Sequence, residues 1–190
     1  MKRILYLGRF QPPHKDHLKT IKLAEKRFDS EVLPVVFTYE LKGEHLPFYD
    51  CPFSFEEIKR MFSALQIEPY KFSFDLENYH KHFYPSNVYK RRKELLSLGT
   101  NVITRDYKEL PLMKILGLHP LYLPFADNEK IIRSSVIREL IYEGRREEAT
   151  SYVPYTCRDI FKEIVKRKDF DSIKNLGVRI GAFKFPKPII

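Results

Sequence analysis

Residues 3–17, RILYLGRFQPPHKDH, run from a strand through a proline-stiffened loop into the start of a helix. The apolar run RILYL, closed by Gly8, predicts a buried first strand over 3–7. Gly8 lets the chain leave that strand without the bulk of a Cβ. Pro12 and Pro13 hold the following residues extended and keep a helix from starting early. The helix therefore opens close to His14 and continues to about residue 27, with Leu18, Ile21, Leu23 and Ala24 on one face. The rings of His14 and His17 emerge three residues apart on the same side. Both stand beside unpaired backbone N–H groups at the positive end of the helix dipole, a setting that suits a phosphate chain. There the two histidines read better as hydrogen-bond donors to a phosphoryl group than as bases. Arg9 and Lys15 add positive charge.

Outward from this stretch the pattern alternates. Strands are expected at 32–38, 71–76, 102–104 and 121–125, the last a short one with a Pro that marks an end or an edge. A helix opens at Ser54, where Glu57 three residues on completes a capping box. Others run from Ser86 to near Gly99, over 134–142 to a stop at Gly144, and over 156–166 behind a Thr cap. KFPKPII at 184–190 reads as a tail. Strands alternating with helices predict an α/β fold: a Rossmann-like, doubly wound parallel sheet of about five strands with a C-terminal helical extension. Residues 1–190 are expected to form one unit, with the core in 1–132 and the C-terminal helices in 133–180. In such sheets ligands sit beyond the carboxyl ends of the strands, where residues 8–17 lie.

Composition narrows the setting. The 190 residues are 43% hydrophobic and 14% aromatic, which is globular rather than disordered. Cys51 and Cys157 have neither metal spacing nor a disulfide framework, so a reducing, cytoplasmic compartment is expected. The first apolar run is too short for a signal peptide and no later one is long enough to span a bilayer, so no membrane partner is expected. A net charge of +9 favours an anionic partner, although a heat-adapted surface would carry such charge equally well. Nucleic acid is disfavoured, because no basic run is interleaved with aromatics. KRRK at 90–93 reads as a solvated helix face. His14 and His17 lack a third metal ligand at convincing spacing, so no metal site is assigned. His80 and His82 read as surface residues.

Residues 133–138, RSSVIR, form a second candidate site. Ser134 and Ser135 at a helix start offer caps for free N–H groups. Arg138, three residues beyond Ser135, is expected to point towards whatever that helix end binds. The serine pair and this Arg make a second clasp suited to the β- and γ-phosphates of a nucleotide.

Gly8–His17 resembles the GRFxPxHxGH signature of the nucleotidyltransferase superfamily and is most similar to the archaeal nicotinamide mononucleotide adenylyltransferases. Arg133, Ser134, Ser135 and Arg138 resemble that superfamily's second motif, S-S/G-T/S-x-x-R. PFSFEE at 52–57, PSN at 85–87 and the helical segment 143–164 parallel further family features, so the resemblance covers most of the chain. It implies transfer of an adenylyl group from ATP to a phosphorylated acceptor, with release of pyrophosphate. Nicotinamide mononucleotide is the acceptor implied, giving NAD. The acceptor phosphate would attack the α-phosphorus directly, with Mg²⁺ arriving on the nucleotide phosphates. His14, His17 and Arg138 take the catalytic roles. Gly8, Arg9, Phe10, Lys15, Arg133, Ser134 and Ser135 hold the nucleotide. The C-terminal helices offer a surface for a homo-oligomer, as the family often forms.

The chain departs from the family at four places. Asp16 replaces the Gly of HxGH. Val36-Phe37-Thr38-Tyr39 stands where a small-residue turn helps to hold the acceptor. Tyr49-Asp50-Cys51 stands where a basic residue is usual. There is no Trp to stack on nicotinamide, a place that Tyr79 or Phe83 would have to fill. The triphosphate-binding elements thus persist while the acceptor-binding ones have drifted. Two alternatives stay open: the same fold with CTP or another acceptor, and a catalytically silent nucleotide- or RNA-binding module in which Asp16 has ended the chemistry.

Overall fold

A computed structural model of the chain describes residues 3–77, 85–125, 131–176, 178–180 and 183–185. Tyr79, His80, His82, Phe83 and most of the 184–190 segment lie outside the described residues.

Five parallel strands form the sheet: β1 (Ile4–Gly8), β2 (Val32–Leu41), β4 (Tyr70–Asp75), β5 (Asn101–Thr104) and β6 (His119–Tyr122), with a short antiparallel β3 (Glu44–His45) folded back on the end of β2. Across the sheet the parallel order is β4-β2-β1-β5-β6, so the chain reverses its direction of winding beside β1. Register follows the apolar pattern. Leu5 lies between Leu33 and Val102, and Ile4 between Val32 and Asn101. The central strands are buried on both faces and read as near-continuous apolar runs. Pro34, which has no N–H to donate, sits in β2 one residue before its pairing with β4 begins.

Successive residues of these strands face opposite sides. Ile4, Val32, Val36 and Ile103 pack under α1 (Lys15–Phe28), α2 (Phe55–Ser63) and the C-terminal helices. Leu5, Leu33, Val35 and Val102 pack under α3 (Pro85–Leu98) and α4 (Leu110–Ile115). The C-terminal helices are α5 (Ser134–Tyr142), α6 (Arg146–Tyr152), α7 (Arg158–Arg167) and α8 (Phe170–Asn175). Phe161, Phe170 and Ile137 join the same buried cluster as β1, so they cover the sheet's first face. A hairpin, β7 (Val178–Ile180) with β8 (Phe183–Phe185), follows. Among the described residues no helix is long and apolar enough to cross a membrane.

The expected Rossmann-like sheet and its helical extension are both present. Several details differ. The β2–β3 hairpin was not expected; its turn at Lys42-Gly43 takes positive φ at both residues (53° and 81°), the geometry that tight hairpins need. The last parallel strand ends at Tyr122, and residues 123–125 leave the sheet. Thr156 does not cap a helix: it lies in a 3-10 turn, Tyr155–Cys157, and α7 starts after it. KRRK is not wholly a solvated face either. The Arg91 guanidinium lies 4.7 Å and 4.9 Å from the Phe72 and Phe74 rings, and Arg92 donates to the Leu116 carbonyl at 2.8 Å.

Candidate functional site

A cavity of about 870 Å³ opens beyond the carboxyl ends of β1 and β5, at the point where the winding reverses. Gly8 ends β1, and a Cβ there would lie 3.2 Å from the Phe10 ring. Phe10 holds φ at +50°, unusual for a bulky residue, and is fixed by ring contacts to Tyr6, His17 and Phe62. The Gln11 side chain then bonds both the N–H and the carbonyl of Phe53, each at 2.8 Å, in a fully buried setting. This anchors the loop to the segment before α2, whose Ser54–Glu57 capping box is formed as expected.

His14 caps α1 in an extended conformation, and α1 begins at Lys15. The His14 and His17 rings stack with centroids 3.6 Å apart, and both line the cavity. His17 Nδ1 accepts the His14 backbone N–H at 3.3 Å. A neutral ring whose Nδ1 is an acceptor carries its proton on Nε2, so His17 is held as an Nε2–H donor. Burial lowers the His14 pKa from 6.5 to about 4. Burial, with His14 alongside, holds His17 well below its ordinary value. Both imidazoles are therefore neutral near pH 7. The His14 Nδ1 is buried without a hydrogen-bond partner, which marks a polar group awaiting one.

The other sequence-derived residues divide. Arg9, His14, His17, Arg133 and Ser134 meet in the cavity wall. Gly8, Phe10 and Ser135 do not line it, and Gly8 and Phe10 act on its shape. Lys15 is exposed on the far side of α1, where it lines a shallow groove with Lys19, Lys22, Lys26 and Tyr155. Arg138 does not point to the cavity. Its guanidinium is buried, donating to Asp50 Oδ1 at 2.8 Å and to the Gln11 carbonyl at 3.0 Å. Arg138 follows Ile137 on the buried side of α5, and Asp50, buried beside Arg9 as well (3.8 Å), supplies the counter-charge. Nor does Ser134 cap α5: Arg133 is the cap residue, and the Ser134 hydroxyl donates to the Pro12 carbonyl at 3.2 Å.

Asp16 lines the cavity, with its carboxylate turned onto the Ile132 N–H at 2.6 Å. The opposite wall comes from the end of β5 and the segment after β6, which sequence reasoning did not single out. Arg105 stacks on Phe125 at 3.7 Å and donates to the Thr20 hydroxyl at 3.3 Å. Tyr6, its phenol pushed up to about 12 by burial, forms part of the floor. The signal for Arg105 was its place one residue after a strand of a parallel sheet, where ligand-binding residues collect. The cavity thus combines four cations, Arg9, Arg105, Lys108 and Arg133, and three carboxylates, Asp16, Asp106 and Glu109, with two neutral imidazole donors at a helix N-terminus. Such a site can bind a polyphosphate and stabilise charge growing on a phosphoryl group. Among the described residues no three His, Cys, Asp or Glu side chains converge as a metal cluster. Val36 to Tyr39 stay outside the cavity wall; Tyr39 stacks on Phe74 at 5.6 Å instead.

The family model described as cytidylyltransferase-like matches residues 5–140. No curated protein matches the chain in sequence. Among solved structures, a bifunctional NMN adenylyltransferase/ADP ribose pyrophosphatase from Francisella tularensis shares the fold with a TM-score of 0.65 at 18% identity, covering 90% of this chain and 52% of its own. The same enzyme complexed with AMP and a Mn ion gives 0.63 at 18%, covering 90% and 51%. The NadR protein in complex with NAD and AMP-PNP gives 0.51 at 17%, covering 84% and 46%. The chain spans about half the length of the solved proteins it resembles.

Proposed function

The chain belongs to the cytidylyltransferase-like family of nucleotidyltransferases, and from that premise we propose that it moves an adenylyl group from ATP to a phosphorylated acceptor. Nicotinamide mononucleotide is the acceptor of this reading, and NAD and pyrophosphate are its products. The stacked pair His14–His17 carries the proposal: two neutral imidazoles at the N-terminus of α1, walled by cations. A phosphate oxygen of the acceptor attacks the α-phosphorus, and the bond from that phosphorus to the bridging oxygen breaks. Pyrophosphate leaves with the bonding electrons. Charge grows on the transferred and leaving oxygens, and the His17 Nε2–H, pre-placed against it beside the neutral His14 ring, lowers the barrier. Arg9, Lys108 and Arg133 neutralise the triphosphate, while Mg²⁺ arrives on the nucleotide and supplies further charge neutralisation when bound. Residues 133–180 work as part of the same unit, since Ser134 and Arg138 bond directly to the loop that leads into the histidines.

The family description gives one reason to test a second donor, CTP. Pyrophosphate release with Mg²⁺, crossing ATP and CTP against nicotinamide mononucleotide and other phosphorylated acceptors, decides the matter. NAD formed from ATP is the expected result. Release with CTP or another acceptor would keep the mechanism and replace the substrate, and silence with every pair would overturn the enzymatic reading.

A further inference from the structure

Three hydrogen bonds join the first motif to the second and to the residue just before it. The Gln11 carbonyl accepts from Arg138 at 3.0 Å, the Pro12 carbonyl from the Ser134 hydroxyl at 3.2 Å, and the Asp16 carboxylate from the Ile132 N–H at 2.6 Å. They run from the interior outwards. Gln11 and Arg138 are buried, whereas Asp16 and Ile132 both line the cavity. Only the outermost tie therefore lies wholly on the cavity rim, and only an acceptor side chain at position 16 can make it.

We infer that Asp16 is a positioning residue. Its carboxylate fixes the distance between the first turn of α1 and the segment entering α5, so that His17 and Arg133 face one triphosphate at a set spacing. The bond is a short, charge-assisted one to a backbone amide, a strong type of hydrogen bond. Its acceptor lies in the first turn of α1 and its donor one residue before the cap of α5, so it ties a helix to the segment that enters another. With the oxygen aimed at the amide, the side chain supports the clasp instead of occupying it. Asp16 thus holds the rim of the cavity by a cross-tie formed before nucleotide binds, which spares the cost of ordering it on binding.

The inference rests on the nucleotidyl-transfer reading, so its test has one readout that does not. Asp16→Ala removes the carboxylate without the backbone freedom of glycine, and Asp16→Asn keeps an acceptor oxygen without the charge. Hydrogen exchange of the Ile132 amide is followed in all three proteins at a temperature where thermal unfolding shows each to be folded. Binding of the magnesium complexes of α,β-methylene-ATP and α,β-methylene-CTP is measured by calorimetry. In the Ala variant, amide exchange is expected to quicken and nucleotide affinity to fall, each by about tenfold. The Asn variant should restore both to within about threefold of the parent. Asp16→Ala binding as tightly as the parent, or more tightly, would overturn the inference, as would unchanged exchange at Ile132. If neither analogue binds the parent protein, the nucleotidyl reading fails, and the amide exchange alone decides whether Asp16 is the tie.

Discussion

His17 accepts a backbone N–H through Nδ1, so the proton of its neutral ring is committed to Nε2. His14 carries the opposite mark, a buried Nδ1 with no partner in a ring held neutral by burial. A buried polar atom left without a partner costs about 1–3 kcal/mol, and such a cost persists where a substrate or transition state removes it. His17→Ala is accordingly expected to lower kcat for pyrophosphate release by about 10²–10³-fold with little change in the KM for the donor nucleotide, because the lost bond is made chiefly in the transition state. Steady-state kinetics with the pair found active would check this; a rise in KM at constant kcat would assign the residue to ground-state binding. His14→Leu is expected to lower turnover similarly while leaving the denaturation midpoint level or higher, since it removes the orphan atom and keeps the bulk. A loss of both activity and several degrees of Tm would make His14 a packing residue. The presence of these histidines was readable from spacing alone, because Pro12 and Pro13 fix where the helix can begin. The fate of Arg138 was not. A Ser-Ser-x-x-Arg string gives no sign that an aspartate 88 residues earlier lies against the guanidinium.

Helix α1 and helix α5 were expected separately, at bounds close to those observed, from apolar periodicity and from Gly144 as a stop. What the periodicity does not contain is the contact between them. That contact is built by the Gln11 and Pro12 carbonyls, the Ile132 amide and the polar groups that meet them, none of which carries a hydropathy signal. Gln11 shows the size of such a link: it satisfies two buried backbone groups of Phe53 at once. Gln11→Leu preserves bulk but leaves that N–H and carbonyl unpaired, so a loss of about 2–5 kcal/mol is expected. Urea unfolding of both proteins would measure it, and a loss under 1 kcal/mol would mean that water or the backbone replaces the amide. The ion pair of Asp50 and Arg138 should behave differently. Removing one partner strands a buried charge at about 3–5 kcal/mol, whereas replacing both with apolar residues of similar volume should recover most of that. A double-mutant cycle with Asp50→Leu and Arg138→Met makes the comparison; a double variant no more stable than the worse single one would show that the pair contributes more than mutual neutralisation.

The sheet order was foreseeable in kind because each parallel strand is an apolar run closed by turn residues and separated from the next by a helical stretch. The short β3 and helix α4 were not, being too short to establish a period, and α6 and α8 fall within the expected C-terminal helices without bounds of their own. Folding also buries histidines from separate parts of the chain. Burial brings His14 and His45 from 6.5 to about 4 and holds His17 well below 6.5. In the unfolded chain all three titrate near 6.5. Between pH 6.5 and 4 the unfolded state thus binds protons that the folded state refuses, and stability must fall as pH is lowered. It is present in full above 6.5 and is lost progressively down to the folded pKa. His14 alone accounts for about 3 kcal/mol over that window. Urea unfolding at constant ionic strength from pH 8 to 4.5 should show a plateau above pH 7 and a decline beginning near 6.5, well before carboxylates titrate. His45 lies outside the cavity wall, so His45→Phe should shallow that decline without lowering pyrophosphate release at neutral pH. A stability that stays level from pH 7 to 5 would mean that the three rings take up protons in the folded state, and the neutral donors assigned to the phosphoryl group would then have to be cations.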